Sequence, residues 1–131
     1  MSFQGIDAKA NYGGTLIEDL LPVKLLAKDD RAEIPEGFSP EIVDTEHPIM
    51  KGIPDRWPLF LFYNRLILKE GSTLLAKHQE DPIIAVNNFK KGRSMAFAMD
   101  IAPHGATHEF LEWEHFKTFW TQAAYWLANK I

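Results

Sequence analysis

Hydrophobic and polar positions follow two different rhythms in the later two thirds of this chain, and each predicts a different element. From Leu59 onward the pattern is β. Leu59 to Leu68 is a nearly unbroken apolar and aromatic run, interrupted by Tyr63, Asn64 and Arg65. Thr73 to His78, Ile83 to Phe89 and Ser94 to Met99 follow as strand-length segments separated by Gly71, Asp81-Pro82 and Lys90-Lys91-Gly92. This order predicts an antiparallel meander that closes in a hairpin at Lys90–Gly92. Met95-Ala96-Phe97-Ala98-Met99 carries no polar residue, as a strand buried on both faces requires. After Thr107 the period changes. Phe110, Trp113, Phe116 or Lys117, Trp120, Ala124 and Leu127 recur at helical spacing and predict one amphipathic helix with a broad apolar stripe. Phe119 and Trp126 fall off that stripe, which leaves apolar surface for a second chain or further strands to cover. Glu109, Glu112 and Glu114 toward its start and Lys130 at its end suit the helix dipole.

The first half is more irregular. Gly5 and Asn11-Tyr12-Gly13-Gly14 mark residues 1–14 as loop. Thr15-Leu16-Ile17-Glu18 has capping-box spacing, and Pro22 stops the helix it opens within about two turns. Val23 to Ala27 reads as a brief strand. Residues 28–58 hold Pro35, Pro40, Pro48, Pro54 and Pro58 with Gly37 and Gly52, which excludes long helices and predicts short extended pieces.

Composition narrows the function classes. A length of 131 residues, 46% hydrophobic and 24% charged, fits one soluble globular domain spanning residues 1–131. The net charge of -4 and scattered basic residues argue against nucleic acid or an anionic membrane as partner. Lys90-Lys91-Gly92-Arg93 is the one basic run, and a solvated hairpin tip accounts for it. The chain contains no cysteine, so disulfides, thiolate catalysis and thiolate metal sites within it are excluded. No apolar stretch reaches the roughly 20 residues of a membrane helix, and the N-terminus lacks signal-peptide character, so a cytoplasmic location is expected.

The chemistry centres on Asp100-Ile101-Ala102-Pro103-His104, a carboxylate and an imidazole where a strand gives way to a helix. Loops at such strand ends are where α/β folds bind ligands. Asp100 and His104 could form an acid–base or orienting pair, and a loop-bracing hydrogen bond is the plainer alternative. His104 and His108 with Asp100 and Glu112 could approach a metal, but Pro103 and Gly105 disfavour a helix there, so no metal or other cofactor is expected. Tyr63 and Asn64 could face the same pocket from the strand they interrupt, or could form a buried, satisfied polar pair.

The order of Ser2-Phe3-Gln4-Gly5-Ile6-Asp7, Tyr12-Gly13-Gly14-Thr15, Leu20-Leu21-Pro22-Val23, Glu46-His47-Pro48-Ile49, Tyr63-Asn64, Gly92-Arg93 and Asp100–His104 before Phe110 and Trp113 resembles a known family. That family is the putative glutamine amidotransferases of the class I glutamine amidotransferase-like group, and the resemblance covers essentially the whole chain. It implies an α/β fold with a mixed sheet, an antiparallel meander and a C-terminal helix, corresponding to the C-terminal half of a flavodoxin-like domain. Members are about twice this length, and the similarity begins just past the expected nucleophile elbow. The resemblance places Phe3 and Gly5 beside that elbow, as pocket-lining residues, and His104 near the catalytic histidine. The family commonly carries tryptophan after this histidine, so Gly105 implies the loss of an aromatic wall. Without a nucleophile, a histidine is no catalyst of acyl transfer. The expected function is a protein without amidotransferase activity that binds a small polar ligand near His104. A hydrolase whose nucleophile or metal-activated water is completed by a missing N-terminal half, and a homo-oligomeric assembly module, are the alternatives.

Overall fold

The apolar runs do form strands, and every pairing among them is antiparallel. A computed structural model describes residues 10–103 and 105–131. The elements are α1 (Leu16–Leu20), β1 (Val23–Leu25), β2 (Arg31–Phe38), β3 (Glu41–Ile42), β4 (Phe60–Asn64), β5 (Leu66–Leu68), β6 (Thr73–His78), β7 (Asp81–Phe89), β8 (Gly92–Phe97), α2 (His108–Leu111) and α3 (Phe116–Leu127). They make an α/β fold in which β1 pairs with β5, β2 with β4, and β3-β6-β7-β8 form a four-stranded sheet. The parallel component of the expected mixed sheet has no counterpart among the described residues.

The β7–β8 hairpin turns at Lys90-Lys91, where Phe89 pairs with Gly92 and Lys90 adopts a left-handed φ of 55°. The preceding turn lies earlier than the Asp81-Pro82 pair suggests. His78 pairs with Asp81, and the left-handed residue is Gln79, so Asp81 and Pro82 already belong to β7. The run from Leu59 to Leu68 divides at Arg65. β4 goes to β2 while β5 goes to β1, and the Arg65 N–H donates to the Asp30 carbonyl at the crossover. Pro35 interrupts the β2–β4 ladder, whose register slips between Glu33 and Phe38, because proline offers no N–H to the partner strand.

The capping box at Thr15 takes a different form from the expected one. The Thr15 hydroxyl donates to the Tyr12 carbonyl at 2.6 Å. Glu18 instead accepts from the Gly14 N–H at 2.6 Å and from the Leu25 N–H at 2.7 Å, tying the loop and β1 to the helix. Those backbone donors, Gly14 foremost, hold the Glu18 carboxyl below its ordinary pKa. Lys69 caps the other end by donating to the carbonyls of Glu18 and Leu21.

The C-terminal helix is broken. α2 and α3 are separated by Glu112–His115, and the interruption resets the phase of the apolar stripe. Phe119, Ala123 and Trp126 are the buried residues of α3, while Leu127 is exposed. Phe119 and Trp126 therefore face the core that they were expected to miss. The core is aromatic: Phe110 lies 4.6 Å from Phe60, and Trp57 lies 4.9 Å edge-on from Phe119, all four side chains buried. Such pairs add to the gain from area burial. Phe119→Ala is expected to cost about 3–5 kcal/mol, and Leu127→Ala less than about 1 kcal/mol. Urea unfolding of both variants checks the phase, and the reverse ranking refutes it.

Candidate functional site

The segment that carries Asp100 is fastened to β4 at both ends. The Asn64 N–H donates to the Ala98 carbonyl at 2.8 Å, and Tyr63 bridges Met99. Farther along, the Leu61 N–H donates to the Gly105 carbonyl at 3.3 Å, and Phe60 bridges Ala106. The Thr107 hydroxyl donates to the Leu59 carbonyl at 2.8 Å and accepts from the Phe110 N–H at 3.4 Å, so the residue that caps α2 also moors it to the strand. A loop pinned this way rests on a rigid support, as binding loops require.

Within the loop, Asp100 Oδ1 accepts from the Ile101 N–H at 2.8 Å and from the Ala102 N–H at 3.2 Å, which braces the turn. His104, Phe3 and Gly5 lie outside the described residues. Tyr63 and Asn64 are both buried beside Ala98 and Met99, and they differ in how their polar groups are used. The Tyr63 hydroxyl donates to Asp81 Oδ2 at 2.7 Å, with Arg65 3.8 Å from the same oxygen and the rings of Phe38 and His78 packed around it. Burial, followed by the bond to Asp81, pushes the Tyr63 hydroxyl up to about 12. Asn64 Nδ2 is buried and has no hydrogen-bond partner among the described residues, a costly condition for an amide. The structure thus brings Tyr63 and Asn64 to the root of the Asp100 loop by their backbones, while Tyr63 spends its hydroxyl on Asp81.

Beside this loop an open cleft of about 270 Å³ is lined by Arg31, Glu33, Pro35, Leu61 and Phe62. Arg31 is oriented by Asp29, with Nε 3.0 Å from Oδ1 and Nη2 2.9 Å from Oδ2, and its Nη1 lies 3.7 Å from Glu33. The Arg31 hydrogen bond holds the Asp29 carboxyl below its ordinary range. The fork leaves a planar cation and a carboxylate at the mouth of an apolar cleft, a combination suited to a small polar molecule. Arg31 and Glu33 escaped sequence reasoning. The available signal was their two-residue spacing on β2, which places them on one face.

Phe62 joins the cleft to the loop. A Cβ built on Gly105 would fall 2.0 Å from Phe62 Cε1 and 2.4 Å from Cζ, so the ring occupies the space a side chain would need. The space beside residue 105 is thus filled by a ring from β4. Among the described residues no three His, Asp or Glu side chains converge as a metal site.

These features define an α/β protein whose strand-end loop and adjoining cleft form the candidate site. The chain belongs to the family described as putative glutamine amidotransferase, whose model matches residues 1–129. It is similar in structure to Cytoplasmic Protein STM1381 from Salmonella typhimurium LT2, with a TM-score of 0.90 and 41% identity over 95% of this chain and 51% of that one. It is also similar to Cytoplasmic Protein STM3548 from Salmonella typhimurium, with a TM-score of 0.90 and 34% identity over 95% of this chain and 50% of that one. The chain spans about half the length of these two proteins. No curated protein matches it. No helix among the described residues is long and apolar enough to cross a membrane.

Two outcomes follow from the geometry. Gly105→Ala is expected to destabilise by about 1–3 kcal/mol, and in a Phe62→Ala background by under about 0.5 kcal/mol. Equal costs in both backgrounds, measured by urea unfolding, refute the contact. The raised Tyr63 pKa means that the unfolded chain loses this proton first as pH rises. Its contribution to stability is complete below about pH 10 and is lost as pH climbs toward 12. Unfolding free energies of the wild type and Tyr63→Phe across that window should converge, and a constant difference contradicts the assignment.

Proposed function

We propose that this chain supplies one wall of an amidotransferase-like pocket, binds a small polar ligand there, and does not hydrolyse glutamine by itself. The observation that carries this is the Asp100 loop, pinned to β4 at both ends, with Gly105 against the Phe62 ring that lines the cleft of Arg31 and Glu33. In this reading Arg31 and Glu33 orient the ligand, and Asp100 with His104 form the polar rim. Tyr63 and Asn64 set the position of that rim, and Phe3 and Gly5 close the pocket from the N-terminal side. Thioester chemistry needs a thiolate, and the chain has no cysteine. The half-length match to two longer proteins fits a partial domain, which we read as the C-terminal half of a flavodoxin-like fold, and their names support a cytoplasmic location. A hydrolase in which a second polypeptide provides the nucleophile uses the same rim.

Self-association is a second reading with its own observation. α1 buries none of its side chains, and Leu16 is 80% exposed with Ile17, Leu20 and Ile67 also open to solvent. Exposed apolar surface of this kind favours a homo-oligomer.

L-glutamine is the probe for the site. On titration, backbone amide NMR shifts should concentrate at Arg31, Glu33, Phe62 and Asp100 to Gly105, and Arg31→Ala or His104→Ala should weaken binding about tenfold. No ammonia should be released above background. Absence of saturable shifts up to about 50 mM, or ammonia release that His104→Ala abolishes, overturns the proposal.

A further inference from the structure

A second cleft opens on the other side of Leu59, between the segment leading into β4 and helix α2. It encloses about 450 Å³ and is lined by Arg56, Trp57, Pro58, Leu59, Glu109 and Trp113, with Ser39 at its edge. We propose that it is a binding site for a pyranose sugar.

The walls are held in place from below. Ser39 Oγ accepts from the Trp57 N–H at 3.2 Å and donates to the Trp57 carbonyl at 2.9 Å, so one hydroxyl clamps the peptide units on both sides of Trp57. Pro58 restricts the conformation of the residue before it. On the opposite wall, Thr107 moors α2 to the Leu59 carbonyl and so places Glu109. Trp57 is buried, its ring 6.1 Å from Phe110 and 4.9 Å from Trp113. Trp113 is only partly buried and lines the opening.

The charged groups are what set this cleft apart. Three of the four arginines are engaged: Arg31 with Asp29, Arg65 near Asp81, and Arg93 with the carbonyls of Trp126 and Ile131. Arg56 has neither a hydrogen bond nor an ion pair among the described residues, and the same holds for Glu109. A planar donor fork, a carboxylate acceptor and a partly open indole therefore line one opening with their capacity unspent.

A pyranose ring uses all three at once. Its C–H face packs on the indole, and its ring hydroxyls accept from the guanidinium and donate to the carboxylate through charge-assisted bonds. A free amino acid would satisfy the two charges but leave the indole surface unused. An anionic ligand would meet the Glu109 carboxylate. The shape is open, apolar-lined and sparsely polar, which suits a neutral, flat, hydroxylated ligand.

The test is a titration of ¹⁵N-labelled protein, followed at the indole N–H signals, with methyl glycosides of glucose, galactose and mannose. L-glutamine and glycine serve as zwitterion controls. At least one glycoside should shift the Trp113 indole signal saturably below about 50 mM. Arg56→Ala and Glu109→Ala, both exposed side chains without partners, should each weaken that binding about tenfold while the remaining spectrum keeps its dispersion. The proposal is overturned if no glycoside moves the Trp113 signal, if binding is unchanged in both variants, or if only the zwitterions bind this cleft. Glutamine shifts at Phe62 and Gly105 belong to the other cleft, so the two sites are read separately.

Discussion

Strand β4 has to satisfy its backbone on both edges, and the placement of the site follows from how it does so. Toward β2 it pairs Asn64 with Arg31, Tyr63 with Ala32 and Phe62 with Glu33. Among the described residues the opposite edge has no regular strand to pair with. It takes Ala98 and Met99 at one end, and Gly105 and Ala106 at the other. More chain lies between Ala98 and Gly105 than the strand between Asn64 and Leu61 can match. The surplus after Met99 therefore leaves the ladder as a loop whose ends cannot wander. Buried backbone groups rarely stay unpaired, so hydrogen-bond satisfaction alone is enough to hold Asp100 at this edge.

The aromatic core fixes the same strand from beneath. Phe60 sits between Phe38 on β2, Phe97 on β8 and Phe110 on α2, so a single side chain connects two sheets and a helix. Phe97 continues the contact to Phe119 and Trp120 on α3. Large rings bury more area than any other side chains and lose little rotamer freedom. A core built from them compensates for the short strands and the proline-rich excursion of residues 28–58. Glu18 and Lys69 perform the corresponding task at the surface, where α1 buries nothing and is held by polar ties to β1 and to the segment after β5.

What could be read from the sequence was local, and what could not was a matter of long-range partners. The Lys90-Lys91 hairpin, the meander and the C-terminal helix follow from turn residues and periodicity, and family membership follows from the order of short motifs. The break at Glu112–His115 was hidden because it contains neither glycine nor proline, and one missed break moved Phe119 and Trp126 from the core to the surface of the expected helix. Arg65 was visible as a polar interruption, but its meaning, a change of partner from β2 to β1, depends on Asp30 far away in sequence. The partner of Tyr63 is Asp81, eighteen residues on, which no spacing rule reaches. At Gly105 the residue type was noted, but not the ring that packs against it. A glycine beside a packed ring marks occupied space, and only the position of Phe62 shows this.

Leu59 and Leu61 are alternate residues of one extended segment, both exposed, and each lines one of the two clefts. Alternate residues of a strand share a face, so each cleft has one leucine on a common face, while Phe62, opposite Glu33 in the ladder, brings the first cleft around to the other face. The segment from Gly105 to Thr107 borders both, through its bonds to Leu61 and Leu59. A single seam between a strand and a loop is therefore shared by two openings that differ in chemistry. One holds an arginine already oriented by Asp29 and Glu33, and the other an arginine and a glutamate with no partners. Orienting a cation in advance lowers the entropy lost when a ligand arrives, whereas unpaired charges keep their hydration until one does. The Arg31 cleft is thus preorganised around a fixed charge, and the Arg56 cleft depends more on its indole surface. Apolar and aromatic contact is screened far less by salt than exposed ion pairing, so binding of the two kinds proposed would differ in its sensitivity to ionic strength.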